Sequence, residues 1–171
     1  MKHFYILFGT LSLFFTLSVS AQSAKVIRVE DGNTIVVQDK NNSLITLTLA
    51  EVLCPDATKA FGKKAKKYTD AEVLNKVIEY NIINVDSQKR NIAIVFYDNK
   101  YLSEEIIKNG YGWHFKEESI YNFKILNDLE NYAKNNKIGL WNDSTIIIPW
   151  EIADKVTGNR SQLSETRDPR R

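Results

Sequence analysis

The chain has 171 residues and a net charge of +2, but the charge is unevenly placed. Residues 22–154 carry 17 Lys and Arg against 19 Asp and Glu, whereas residues 155–171 carry five cations against two carboxylates. A body without net positive charge lacks the overall electrostatic footprint of an avid nucleic-acid binder. Cys54 is the only cysteine and His114 the only histidine beyond His3, which excludes an internal disulfide, a redox pair and zinc-ligand spacing.

A basic start, Lys2-His3, leads into an apolar run from Phe4 to Val19 and then Val19-Ser20-Ala21 before Gln22. The run is short for a membrane span of about 20 residues, and small residues precede the expected cut. Residues 1–21 therefore read as a secretory signal peptide, with a periplasmic or secreted product that keeps no membrane span. The remaining chain of about 150 residues suffices for one domain with one core.

From Lys25 to Gln38, apolar and polar positions alternate around an Asp31-Gly32-Asn33 break, and Asp39-Lys40-Asn41-Asn42 separates this from Ser43 to Ala50. Period-two patterning bounded by turn residues predicts strands joined by hairpins. From Lys59 the period changes. Phe61, Ala65, Tyr68, Ala71 and Leu74 recur every three or four residues and predict an amphipathic helix. Val77–Val85 and Arg90–Tyr97 read as two further strands across Asp86-Ser87-Gln88-Lys89.

A short helix is expected from Ser103, stopping at Asn109-Gly110, where glycine can turn left-handed. A short strand follows over Tyr111–Phe115, and a third helix over Ile120–Asn135 with Leu126, Leu129 and Ala133 on one side. Beyond Lys155 the chain is polar, without a periodic apolar face, and reads as a disordered basic tail. Five strands interrupted by one helix, then two more helices, make an α+β, mainly β fold. The count suits a five-stranded OB-type barrel with three helices, occupying residues 22–154.

Four stretches in order, VIRVEDGNTIVVQD, LTLAEVLCPDATKAFGKKAKKYTD, KRNIAIVFYDNKYLSEEIIKNGYGW and NNKIGLWNDSTIIIPWE, resemble the staphylococcal nuclease (thermonuclease-like) family across residues 25–151. The resemblance implies the same barrel. Active members of that family are calcium-dependent phosphodiesterases cutting DNA and RNA. A hard cation needs several oxygen ligands, a carboxylate activates or orients water, and arginines stabilise the phosphate in the transition state.

Position by position, the family's Asp-Gly-Asp-Thr turn reads Asp31-Gly32-Asn33-Thr34 here, so the implied metal positions are Asp31 and Asn33. Thr48 stands where the family has an arginine and Leu53 where it has a metal-binding aspartate. Cys54 and Pro55 match, Asp56 replaces the water-activating glutamate, and Arg90 fits the second arginine. The implied catalytic positions are thus Asp56 and Arg90, with calcium as cofactor if the site is active. Arg90 is also a candidate substrate contact, and Lys63 and Lys66 are candidate substrate contacts by their charge alone, within the lysine cluster of the expected helix.

Each position also has a plainer reading. Asp31 and Asn33 suit a turn, Arg90 an ion pair with Asp86, and Lys59, Lys63, Lys64, Lys66 and Lys67 the solvated face of a helix. Glu51 reads as an edge or loop-facing surface residue, Cys54 as a buried inert thiol, and His114 as packed beside the barrel. Trp141 and Trp150 read as core or lid residues near the C-terminus. The expectation is a pseudonuclease that engages nucleic acid, another anionic ligand or a cell-envelope protein. The alternative is a weak calcium-dependent endonuclease.

Overall fold

The computed structural model describes residues 22–116 and 121–143. The expected signal peptide, Ile120, Trp150 and the expected disordered tail lie outside them. Eight strands and three helices are described: β1 (Gln22–Asp31), β2 (Thr34–Gln38), β3 (Leu44–Leu49), β4 (Val52–Leu53), α1 (Ala60–Val73), β5 (Val77–Val85), β6 (Asn91–Tyr97), β7 (Lys100–Tyr101), α2 (Leu102–Lys108), β8 (Trp113–His114) and α3 (Phe123–Asn135), before a 3-10 turn at Gly139–Asn142.

Sheet order is β3-β2-β1-β5-β6-β7, and a further pairing of β3 with β6 closes the ring. All barrel neighbours are antiparallel except β3 and β6, which run parallel from Leu47 opposite Asn91 to Leu49 opposite Ala93. The result is a closed, mixed, five-stranded barrel with three helices, the OB-type fold the strand count predicts. Alternation explains the core: Val26, Val29, Ile35, Val37, Leu47, Leu49, Ala93 and Val95 point inward and are at most 2% exposed. Closure matters because a closed sheet leaves no unpaired edge.

Two devices attach α1 to the barrel next to the β1–β2 turn. The Thr69 hydroxyl donates to the Gly32 carbonyl at 2.7 Å. A Cβ on Gly32 would lie 2.7 Å from the Cys54 side chain and 2.8 Å from Ala65, so glycine lets helix, turn and loop meet. The buried stripe of α1 is Gly62, Ala65, Thr69 and Val73, so of the expected Phe61, Ala65, Tyr68, Ala71 and Leu74 only Ala65 is buried. Small residues win the close approach, the hydroxyl finds a partner, and the aromatics move to a half-buried flank.

On the other side, Gly110 stops the second helix with φ +66°, as its position predicts. The third helix starts at Phe123 and buries Leu126, Glu130 and Ala133. His114 is fully buried and meets the Phe123 ring edge-on at 5.3 Å. Trp141 is half-buried with the Lys134 ammonium 4.5 Å from its ring centre.

Candidate active-site cleft

An open cleft of about 350 Å³ lies where β1, β2, β3 and the β5–β6 turn converge, lined by Glu30, Asp31, Thr34, Thr46, Thr48, Lys89, Arg90 and Asn91. Strand register explains the convergence. Thr34 pairs with both Asp31 and Thr48, while Thr48 pairs with Ile92 on the other side. The parallel seam between β3 and β6 therefore brings Asp31, Thr48 and Arg90 to one place, as the resemblance requires. Glu30, Thr34, Thr46, Lys89 and Asn91 escaped sequence reasoning as site residues; the polar positions of alternating β3 were the available signal.

The chemistry of these groups is largely taken up locally. Asp31 Oδ1 accepts the Asn33 amide at 2.9 Å, the turn-capping role its position suggests. Asn33 is buried, and its Nδ2 donates to the Val52 carbonyl at 3.3 Å. Arg90 Nε binds Asp86 Oδ2 at 2.6 Å, and both backbone groups of Arg90 also pair with Asp86. The Arg90 backbone amide is the main cause holding the Asp86 carboxyl below its usual range. Arg90 thus lines the cleft as half of an ion pair, with its side chain 54% exposed.

Asp56, Lys63 and Lys66 do not line this cleft. Asp56 is exposed, and its Oδ1 accepts the Thr58 amide and hydroxyl at 2.7 Å each. Those bonds, the hydroxyl's first, lower its pKa. Lys63 is exposed and Lys66 partly so, both on α1. Leu53 is half-buried and pairs with Trp113. Cys54 is buried, and burial, then the nearby Asp31 charge, pushes its thiol pKa well up. That environment suits an inert thiol.

Glu51 overturns its expected surface placement. It is 1% exposed at φ +65°. Its carboxylate accepts the Tyr121 amide at 2.7 Å, the Asn122 amide at 3.3 Å and the Tyr101 hydroxyl at 3.0 Å. Its backbone carbonyl accepts the Phe115 amide. The carboxylate caps the start of α3, where unpaired amides favour negative charge.

The donor set does not fit a hard cation. Asn33 directs its amide at a carbonyl, Leu53 has no donor, and no group of three His, Cys, Asp or Glu side chains among the described residues could hold a metal.

The staphylococcal nuclease homologue family matches residues 21–143. The chain belongs to that family. An uncharacterised endonuclease of Haemophilus influenzae is 31% identical over 157 residues, covering 88% of this chain and 87% of that protein. An uncharacterised endonuclease of Escherichia coli O157:H7 is 26% identical over 74% of this chain and 81% of its own length. A micrococcal nuclease of Shigella flexneri is 23% identical over 74% and 78%. Among the described residues of this family member, no helix is long and apolar enough to cross a membrane.

Proposed function

We propose that this family member is an exported pseudonuclease that binds a nucleic-acid or protein partner without efficient cleavage. The carrying observation is the pair Leu53 and Asn33. One side chain has no donor atom, and the other spends its amide on the Val52 carbonyl. Thr48 adds to this, because a hydroxyl cannot make the two-pronged phosphate contact of an arginine. The apolar run at Phe4–Val19 supports export. A cell-envelope protein is the partner class if nucleic acid does not bind.

The test is hydrolysis of single-stranded DNA and RNA by the purified mature protein, with calcium and with a chelator. No calcium-dependent hydrolysis is the expected result, and clear hydrolysis abolished by the chelator overturns the reading. A gain of activity in the Asn33→Asp, Thr48→Arg, Leu53→Asp triple variant would locate the loss in these three positions.

A second reading, a weak calcium-dependent phosphodiesterase, draws on the cleft that still gathers Arg90 with Asp31 and on the relatives' names. It would use Arg90 and Asp56, and it requires that Arg90→Ala or Asp56→Ala remove a measurable activity. Activity that survives both changes would sink it.

A further inference from the structure

The three helices treat their charges differently. α2 follows the helix-dipole rule, with Glu104 and Glu105 in its first turn and Lys108 in its last. α3 carries Lys134 in its last turn and the i,i+4 ion pairs Lys124–Asp128 and Glu130–Lys134.

α1 does the reverse. Its first turn has no acidic residue, its N-cap position is Lys59, and no side chain caps it. Lys59, Lys63 and Lys67 form an i,i+4 ladder of like charges, joined by Lys64 and Lys66. Each like-charge neighbour costs a few tenths of a kcal/mol. Among the described residues none of these five lysines forms an ion pair; Lys25, Lys40, Lys89, Lys100, Lys108 and Lys137 share this, but they are scattered, whereas the five fall between positions 59 and 67. A helix selected only for solubility would intersperse glutamates. Local rules broken together point to a function.

Two further observations say what the face fits. An aromatic row lies along its flank: Tyr68 stacks on Tyr111 at 4.3 Å, Phe61 lies 6.1 Å from Tyr111, and the Lys64 ammonium sits 5.6 Å from the Phe61 ring centre. The lysine-bearing half of α1 also starts at the cleft's neighbouring loop. Gly62 packs directly on the Asp56 carbonyl, and the Lys59 amide donates to that same carbonyl at 2.9 Å. From Lys59 to Lys67 the helix rises about 12 Å.

We propose that this face of α1 is a docking track for single-stranded nucleic acid, with lysines following the phosphates and the half-buried Phe61 offering a stacking platform beside them. The inference rests on the nucleic-acid branch of the proposed function and adds a binding surface outside the cleft. It also reconciles a body of net charge −2 with nucleic-acid binding, because the cations are concentrated on one helix. Phosphate contacts release counterions, and stacking does not. The two contributions therefore separate experimentally.

The experiment is fluorescence anisotropy of a labelled oligothymidylate with the mature protein across a salt series. Four variants accompany it: Lys63→Gln/Lys67→Gln, Lys63→Glu/Lys67→Glu, Phe61→Ala and Arg90→Ala. Circular dichroism melts confirm that each is folded. The glutamine pair is expected to weaken binding about tenfold and to flatten the slope of log K against log salt by about 1.4, or about 0.7 for each lost phosphate contact. The glutamate pair should weaken it further. Phe61→Ala is expected to weaken binding at least about fivefold with the slope unchanged, as loss of a stacking contact predicts.

Wild-type affinity and slope in both lysine pairs would overturn the track. A loss in Arg90→Ala alone would then leave the cleft as the binding site. Absence of any oligonucleotide binding by the wild-type protein overturns both the track and the nucleic-acid branch. Equal or tighter binding of heparin or duplex DNA would overturn the commitment to single strands.

Discussion

Glu51 shows how much one residue depends on distant partners. A carboxylate at the end of a strand is ordinarily exposed, and its apolar neighbours Leu49, Ala50, Val52 and Leu53 offer it no side-chain donor. Its acceptors are used by Tyr101, Tyr121 and Asn122, 50 to 71 positions away, a distance local patterning does not reach. Glu51→Leu removes the acceptor from all three donors and is expected to cost about 2–5 kcal/mol in urea unfolding. Glu51→Gln keeps one acceptor oxygen and should cost less. Hydrogen exchange at the Tyr121 and Asn122 amides should accelerate in the leucine variant. Unchanged protection there would show that the carboxylate does not hold the start of α3. Asn33 is the opposite case, because its departure from the family pattern was legible at once and only the reason was hidden. Asn33→Asp replaces a donor with a carboxylate facing the Val52 carbonyl, and a loss of about 1–3 kcal/mol is expected. Cys54 gives a kinetic test. Burial and the Asp31 charge hold its thiol protonated, so a thiol reagent at mildly alkaline pH should label it only as fast as the protein opens, and urea should make labelling fast. Rapid labelling of the folded protein would contradict the buried placement.

At the scale of elements, strands were more legible than the face a helix buries. β1, β2, β3, β5 and β6 fall where alternation and turn residues place them, because period two leaves one choice of face. The first helix was found, yet its buried stripe runs through Gly62, Ala65, Thr69 and Val73. An aromatic looks like a core residue in a sequence, but here Phe61 and Tyr68 are too large for the approach that Gly32 and Thr69 create. The N-terminus of α1 offers a prediction that separates stability from binding. Lys59 has the extended backbone of an N-cap, φ −79° and ψ 153°, but no side chain able to cap. Lys59→Asp supplies a capping acceptor and removes one like-charge neighbour, so it is expected to raise stability by about 0.5–2 kcal/mol. The same change takes a cation from the proposed track and should weaken oligothymidylate binding. Higher stability with unchanged binding would place Lys59 outside the track, and no gain in stability would show that the N-terminus is already satisfied.

Over the whole molecule, the core and the cleft are built from opposite sides of the same strands, so cleft side chains can change without loss of the fold. β3 shows this directly. Leu47 and Leu49 point into the core, while Thr46 and Thr48 line the cleft. Substitutions on the outer positions change ligands and charge, whereas the inner positions carry closure. Leu47 is fully buried on the strand that pairs with β2 on one side and β6 on the other. Leu47→Ala is therefore expected to cost about 2–5 kcal/mol, including the cavity it leaves. It also asks whether the barrel and the α2–α3 layer unfold together. The layer is tied to the barrel by the Ser103 hydroxyl on the Ala50 carbonyl at 2.8 Å and by Tyr101 on Glu51. These bonds meet the chain immediately after β3, so weakening β3 should release both parts at once. Urea unfolding followed by tryptophan fluorescence and by far-ultraviolet circular dichroism should give coincident single transitions in wild type and variant, with only the midpoint lowered. Trp113 and Trp141 lie on the helical side, so two separated transitions would show that layer and barrel unfold independently and that closure is not the cooperative unit.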